Sequence, residues 1–448
     1  MKKLLRIVFV LFTTATFAQA GHIMQGVGAV NMSMGGAATA MPLDISGAMQ
    51  WNPATLSAFD GKILDFNIGA FSSSPELSSS LPAGMLGAGA PAVSGITKDD
   101  RGISPMPALA FVWGKEDSKS TFGVSAFGIS GFGVTFPEEA NNPMSPTFNP
   151  TINSNPISYP QQARGFGHIE SDYMLLQVSL TWSYEIAKGF SIGIQPNVNY
   201  ASLELAPNPL SSPSMTLGYP VSDKATAIGY GAQFGMYYAS EGGVKIGASY
   251  KTAQSFGDFE FSNTYLDGSA APDVAFQMDY PAIISFGLGY STETFDITAD
   301  YRNVNYSCTE GFEAQGWTQT GSVQGFGWND VNILSAGLQL KLIEKLPIRF
   351  GYTYSSNPID KDLVFFSIPA TAVIKNAYQF GLGYEFSDKM KINGVYHYGT
   401  SNGATTGNML NPMMVSASNP YGAMPGTSVG YKMDTSMIMV GITYDFAK

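Results

Sequence analysis

Residues 174–185 alternate with a period of two. Met174, Leu176, Val178, Leu180, Trp182 and Tyr184 fall on one face, and Gln177, Ser179, Thr181, Ser183 and Glu185 on the other. Ile228, Tyr230, Ala232, Phe234, Met236 and Tyr238 repeat the pattern against Gly229, Gly231, Gln233 and Gly235, as do Ile438, Val440, Ile442, Tyr444 and Phe446 against Gly441, Thr443 and Asp445. Successive side chains change sides along a strand but not around a helix, so each stretch predicts a β-strand. The reading extends to fourteen strands, near 62–71, 106–114, 120–130, 172–185, 189–203, 226–239, 243–256, 282–290, 294–304, 331–342, 347–356, 376–386, 390–398 and 433–446. In a soluble sandwich the apolar face packs a core. In a membrane barrel it meets lipid, and the other face can be small or polar. Alternation alone fits both.

The connections separate the two. Long and short ones alternate strictly: 115–119, 186–188, 240–242, 291–293, 343–346 and 387–389 are short, and the long ones run from 19 residues (357–375) to 41 (131–171). Tight turns at one end and long loops at the other are the asymmetry of a bacterial outer-membrane barrel. Strands entering the short turns also carry an aromatic near their end: Trp113, Tyr184, Tyr238, Tyr290 and Tyr384, with Tyr444 at the chain end. Amphipathic rings favour the membrane–water boundary, so this row predicts a girdle. Ring closure leaves no unpaired strand edge in lipid. The expected fold is all-β: a 14-stranded antiparallel transmembrane β-barrel.

Composition agrees. Of 448 residues, 50 are Gly and 13% are charged, while mean hydropathy is only +0.03. After residue 20 no apolar run approaches the about 20 residues that a spanning helix requires. The net charge of −11 argues against nucleic acid, which needs clustered basic side chains. The single cysteine, Cys308, excludes a disulfide framework, and three histidines leave little for a metal site; no cofactor is expected. Lys2, Lys3 and Arg6, an apolar stretch from Ile7 to Phe17, and Ala18-Gln19-Ala20 read as a cleaved secretory signal over 1–20.

Residues 21–61 precede the first strand and are rich in small residues, including Gly26, Gly28, Gly35, Gly36, Ala37 and Ala38, with apolar Ile23, Met24, Val27, Val30, Met32 and Met34 among them. Asp44 or Ser46 can cap a short helix, and Asn52-Pro53-Ala54 has Asn at the cap and Pro at the first helical position. A fourteen-strand ring is wide enough to leave a lumen. This segment is therefore expected to be a compact helical plug, or hatch, inside a barrel formed by 62–448.

The run Gly26 to Phe59, with Met34-Gly35-Gly36-Ala37, Asp44 and Asn52-Pro53-Ala54-Thr55-Leu56, resembles the hatch of the FadL-type outer-membrane transporters of long-chain fatty acids and aromatic hydrocarbons. Pro281 to Gly287, Asp300 to Tyr306, Asn329-Asp330 and Arg349 to Ile359 resemble the later strands of that family. The resemblance implies passive uptake of hydrophobic molecules, most readily long-chain fatty acids, with aromatic or aliphatic hydrocarbons as the alternative. It implies capture by outer loops, a pocket beside the hatch, and lateral exit through a kink in the third strand. It also implies a monomer inserted by the barrel-assembly machinery among outer-membrane lipid.

Phe122, Val124 and Ala126 hold one phase of the third strand, Phe127 and Ile129 take the other, and Phe132, Val134 and Phe136 return to the first. Gly128, Gly131 and Gly133 interleave, and a phase slip with glycines predicts a bulge. By loop order, Leu210, Met215, Leu217, Phe259, Phe261 and Tyr265 are the candidates for the capture groove. A carboxylate headgroup needs an inward cation, and Arg302, Arg349 and Lys251 are candidates, although Asp300 and Glu385 face inward as possible partners. The sequence contains no HExxH or phosphate loop, so no enzyme is expected. A lipase built on His397 and a non-specific porin are the alternatives from other classes. His22 and His168 read as ordinary polar residues.

Overall fold

The computed structural model describes residues 22–114 and 118–446; the expected signal, 1–20, lies outside them. Among the described residues fourteen long strands close into one antiparallel barrel. They are β1 (Lys62–Leu81), β2 (Ile103–Gly114), β3 (Ser120–Phe136), β4 (Ile169–Ala187), β5 (Phe190–Ala206), β6 (Ala225–Ala239) and β7 (Val244–Lys251). The second half is β8 (Ala282–Ser291), β9 (Phe295–Asn305), β10 (Val331–Leu340), β11 (Ile348–Ser355), β12 (Asn376–Glu385), β13 (Met390–Thr400) and β14 (Ser428–Asp445). β14 pairs with β1 from Asp445↔Ile63 to Ser428↔Ser80, which completes the ring and satisfies the edge that lipid cannot.

The expected faces are observed. Met174, Val178, Leu180, Trp182, Ile228, Tyr230, Phe234 and Met236 are exposed on the outer wall. Tyr238, Tyr290 and Tyr384 stand outward beside the short turns. Inward, neighbouring strands exchange neutral polar bonds: Gln177 Nε2 donates to Asn199 Oδ1 (2.9 Å), Ser179 Oγ to Asn197 Oδ1 (2.8 Å) and Thr181 Oγ1 to Gln195 Oε1 (2.7 Å).

The outer end is more ordered than a set of loops. β1 runs on to Leu81 and pairs with a short strand at Val93–Lys98, where a long connection was expected. Phe259–Thr264 forms a small separate sheet with Ala270–Phe276 and Val221–Ser222. β3 continues past 130 to Phe136, because a bulge restores a pairing face to the residues beyond it.

The hatch fills the lumen. It carries helices α1 (Ala29–Ser33) and α2 (Ile45–Trp51), then a 3₁₀ turn at Pro53–Ala58. Asp44 caps α2 by accepting from Gly47 N, and Asn52 caps the 3₁₀ turn by accepting from Ala54 N. Glycines on the inner wall admit it. A Cβ on Gly247 would lie 1.8 Å from Thr39 O, and one on Gly351 2.2 Å from Gly35 N. At these two inward glycines plug backbone meets barrel backbone.

Candidate functional site

β2 and β3 pair only from Gly114↔Thr121 to Ala108↔Phe127. Beyond that point β2 stays with β1, up to Ile103↔Ser72, while β3 follows β4, up to Phe136↔Ile169. Among the described residues no ladder pair joins 103–107 to 128–136, so the wall has a gap there. The register of β3 against β4 shifts between Gly128 and Ser130. Phe127 and Ile129 are buried on the inner side, and past the bulge Val134 and Phe136 are the buried ones. The slip therefore reverses the inward parity, where the sequence pattern suggested a return to the starting phase.

The first described residues of the hatch sit on the strand edge this exposes. Met24 N donates to Ile129 O (3.0 Å), and His22 O accepts from Gly131 N (3.2 Å) and Ser130 Oγ (3.0 Å). A cavity of about 570 Å³ opens between this segment, the free parts of β2 and β3, and β4. Its lining spans the wall. His22, Tyr173 and Leu175 are buried in the lumen, whereas Ile103 and Met174 are exposed on the membrane face.

His22 closes the inner end. Its ring stacks on Phe312 at 4.9 Å and lies within 6.2 Å of Phe132, Tyr173, Tyr280, Tyr306 and Trp328. Its Nδ1 is 2.8 Å from the Tyr306 hydroxyl. Burial in this apolar shell pushes the imidazole down to about 3 and the Tyr306 phenol upward. Nothing in the sequence singled out His22, because its partners arrive from β3, β4 and the segments around 280, 306–312 and 328. The one legible trace was the density of rings at Phe312, Trp317, Phe326 and Trp328.

The remaining candidates disperse. Gly26, Gly28, Gly35, Gly36 and Asp44 all lie within the buried hatch, Gly28 preceding α1 and Gly36 at φ 75°. Asn52 donates to Thr39 O within the hatch (2.7 Å) and to Met236 O of the wall (3.0 Å). Gly133 lines the cavity with Gly128 and Gly131. Phe259 and Phe261 are not groove residues open to solvent: both are buried, and Phe259 stacks with Phe261 on one side and Phe256 on the other. Leu210 packs against the core, Leu217 and Tyr265 are half-buried, and Met215 is exposed. An apolar cleft of about 40 Å³ forms instead among Phe166, Tyr219, Trp317, Phe365 and Phe366.

Two cation candidates are engaged. Arg302 donates to Asp300 Oδ2 (2.6 Å) and Gly36 O (2.7 Å), with its guanidinium 3.7 Å over the Trp51 ring. Arg349 donates to Gln339 Oε1 (2.6 Å) and Asn393 Oδ1 (3.0 Å). Lys251 is buried and has no salt bridge among the described residues; its ammonium makes a long contact to Gln177 Oε1 (3.4 Å) and lies 5.9 Å from the centre of the Tyr280 ring. His397 is buried beside Gln379 Nε2 (3.1 Å).

The sequence profile of one family, described as outer membrane protein transport protein (OMPP1/FadL/TodX), matches residues 158–446. None of the curated proteins matches the chain by sequence. Among solved structures, the toluene transporter TodX of P. putida is 19% identical, with a TM-score of 0.64 over 94% of this chain and 99% of its own. A FadL homologue of Pseudomonas aeruginosa is 13% identical, with a TM-score of 0.68 over 95% and 100%. The toluene transporter TbuX of Ralstonia pickettii is 16% identical, with a TM-score of 0.60 over 94% and 99%. At these identities the structural likeness speaks for the fold.

Proposed function

This chain belongs to the OMPP1/FadL/TodX family of outer-membrane transport proteins, and from that premise we propose that it takes up small hydrophobic molecules through the gap between β2 and β3. One observation carries the reading: a single cavity is lined both by lumen residues (His22, Tyr173) and by membrane-face residues (Ile103, Met174). An apolar solute gains nothing in a water-filled pore, but moves downhill from an apolar pocket into lipid. The hatch blocks the axial path and closes the inner end of the pocket, so the wall gap is the exit. The family's substrates are hydrophobic, and both toluene transporters and a FadL homologue share the fold.

Compact aromatic compounds suit this pocket best, since Phe132 and Tyr173 line it and the two arginines are engaged by the hatch and wall. Long-chain fatty acids are the second reading, favoured by Lys251, whose ammonium lacks an acidic partner among the described residues. Uptake of radiolabelled aromatics and fatty acids by cells with and without the protein tests the proposal. Mass spectrometry of copurifying compounds adds the identity of the solute. Equal uptake of every hydrophobic probe in both cell types would overturn it.

A further inference from the structure

The shell around His22 is costly as a simple core. Six rings (Phe132, Tyr173, Tyr280, Tyr306, Phe312 and Trp328) surround one imidazole. Yet His22 Nε2 and the Tyr173 and Tyr280 hydroxyls are buried with no hydrogen-bond partner among the described residues. Buried polar groups are nearly always satisfied, and a packed interior would hold leucine or phenylalanine here. The imidazole is itself a planar aromatic ring with a polar edge, stacked at 15° on Phe312 and bonded to Tyr306 Oη at 2.8 Å. The slot also adjoins the cavity, because His22, Phe132 and Tyr173 line both.

We infer that the six-ring shell is a binding slot for one planar aromatic ring bearing a hydrogen-bonding group, of the phenol class, and that His22 is its internal place-holder in the free protein. The inference rests on the uptake reading above and narrows its substrate. A phenol entering from the cavity displaces the imidazole, stacks on Phe312 and takes over the Tyr306 hydroxyl, with the Tyr173 and Tyr280 hydroxyls as further partners. A bare hydrocarbon ring can stack as well, but it strands the Tyr306 hydroxyl, which costs about tenfold or more in affinity.

The test uses the purified full-length protein in detergent with p-cresol, toluene and oleate as probes. Calorimetry reads affinity, and peptide mass spectrometry reads diethylpyrocarbonate modification of histidine. Exposed His168 serves as the internal control, its side chain 46% accessible. Without ligand His22 stays unmodified; at saturating p-cresol it is modified to the level of His168. p-Cresol binds at least about tenfold tighter than toluene, and Tyr306→Phe abolishes that preference. His22→Gly, which removes the competitor, raises p-cresol affinity about tenfold or more. Bound p-cresol that leaves His22 protected overturns the inference, as does p-cresol binding no tighter than toluene. Binding of oleate without either single-ring compound sinks the slot and leaves the uptake reading standing. If none of the three probes binds, the uptake reading itself fails.

Discussion

Arg302 Nη2 lies 2.6 Å from Asp300 Oδ2 on the inner face of β9, and the pair holds the hatch. The same carboxylate oxygen accepts from Ala38 N and Thr39 N, both at 2.9 Å, while the guanidinium reaches Gly36 O and covers Trp51. Removing one member of a buried pair costs about 3–5 kcal/mol, because the other charge is left without its counterion. Arg302→Met is therefore expected to loosen the hatch while the lipid-facing wall stays intact. Single-channel conductance in planar bilayers should rise; an unchanged trace would show that the pair does not retain the plug.

Gly247 predicts a graded version of the same effect. A Cβ there meets Thr39 O at 1.8 Å, backbone against backbone, with no flexible side chain to yield. Gly247→Ala should cost about 1–3 kcal/mol of hatch docking. Limited proteolysis reads this as faster cleavage within the hatch in a barrel that still resists protease. Wild-type cleavage kinetics would count against the close packing described.

Gly128 borders the gap without filling it, its nearest neighbour to a new Cβ being Met106 Cε at 3.6 Å. Gly128→Trp should place an indole between β2 and β3, and lower solute uptake by about tenfold at unchanged surface abundance. Undiminished uptake by this variant would exclude the gap as the exit.

The hatch should respond to pH in two opposite ways. His22 is held down to about 3 by burial, below its ordinary 6.5, so its contribution to docking is intact above pH 6.5. That contribution is lost as pH falls toward 3, at about 1.4 kcal/mol per pH unit. Asp44 is raised well above 3.8 by burial first and by the Asp65 charge second. Its contribution is complete below pH 3.8 and is lost as pH rises through the elevated value. Hydrogen exchange, corrected for intrinsic rates, should show less protection at His22–Met24 at pH 5 than at pH 7. It should show less protection around α2 at pH 7 than at pH 5. Parallel profiles at the two places would contradict the burial of one of these groups.

Much of this molecule was legible from its sequence for a local reason. A strand displays its environment with a period of two, so Met174 to Tyr184 announced a lipid face, and short turns against long loops announced which ends belong together. Gly128, Gly131 and Gly133 marked the break in β3, and Asn52-Pro53 marked a cap, because both signals depend on neighbours in the chain. The headgroup candidates Arg302 and Arg349 failed as free cations because inwardness is local while partnership is not. Gly36 is 266 positions from Arg302.

The chain by itself thus determined the barrel and its strand number, since backbone pairing and burial on one face are set residue by residue. Only the tertiary structure decided what the lumen does. Ring closure brought His22 of the hatch against Tyr306, 284 positions away, and against rings from four further stretches of chain, at Phe132, Tyr173, Tyr280 and Trp328. No periodicity encodes such a meeting, because it depends on how a closed wall folds around its own beginning.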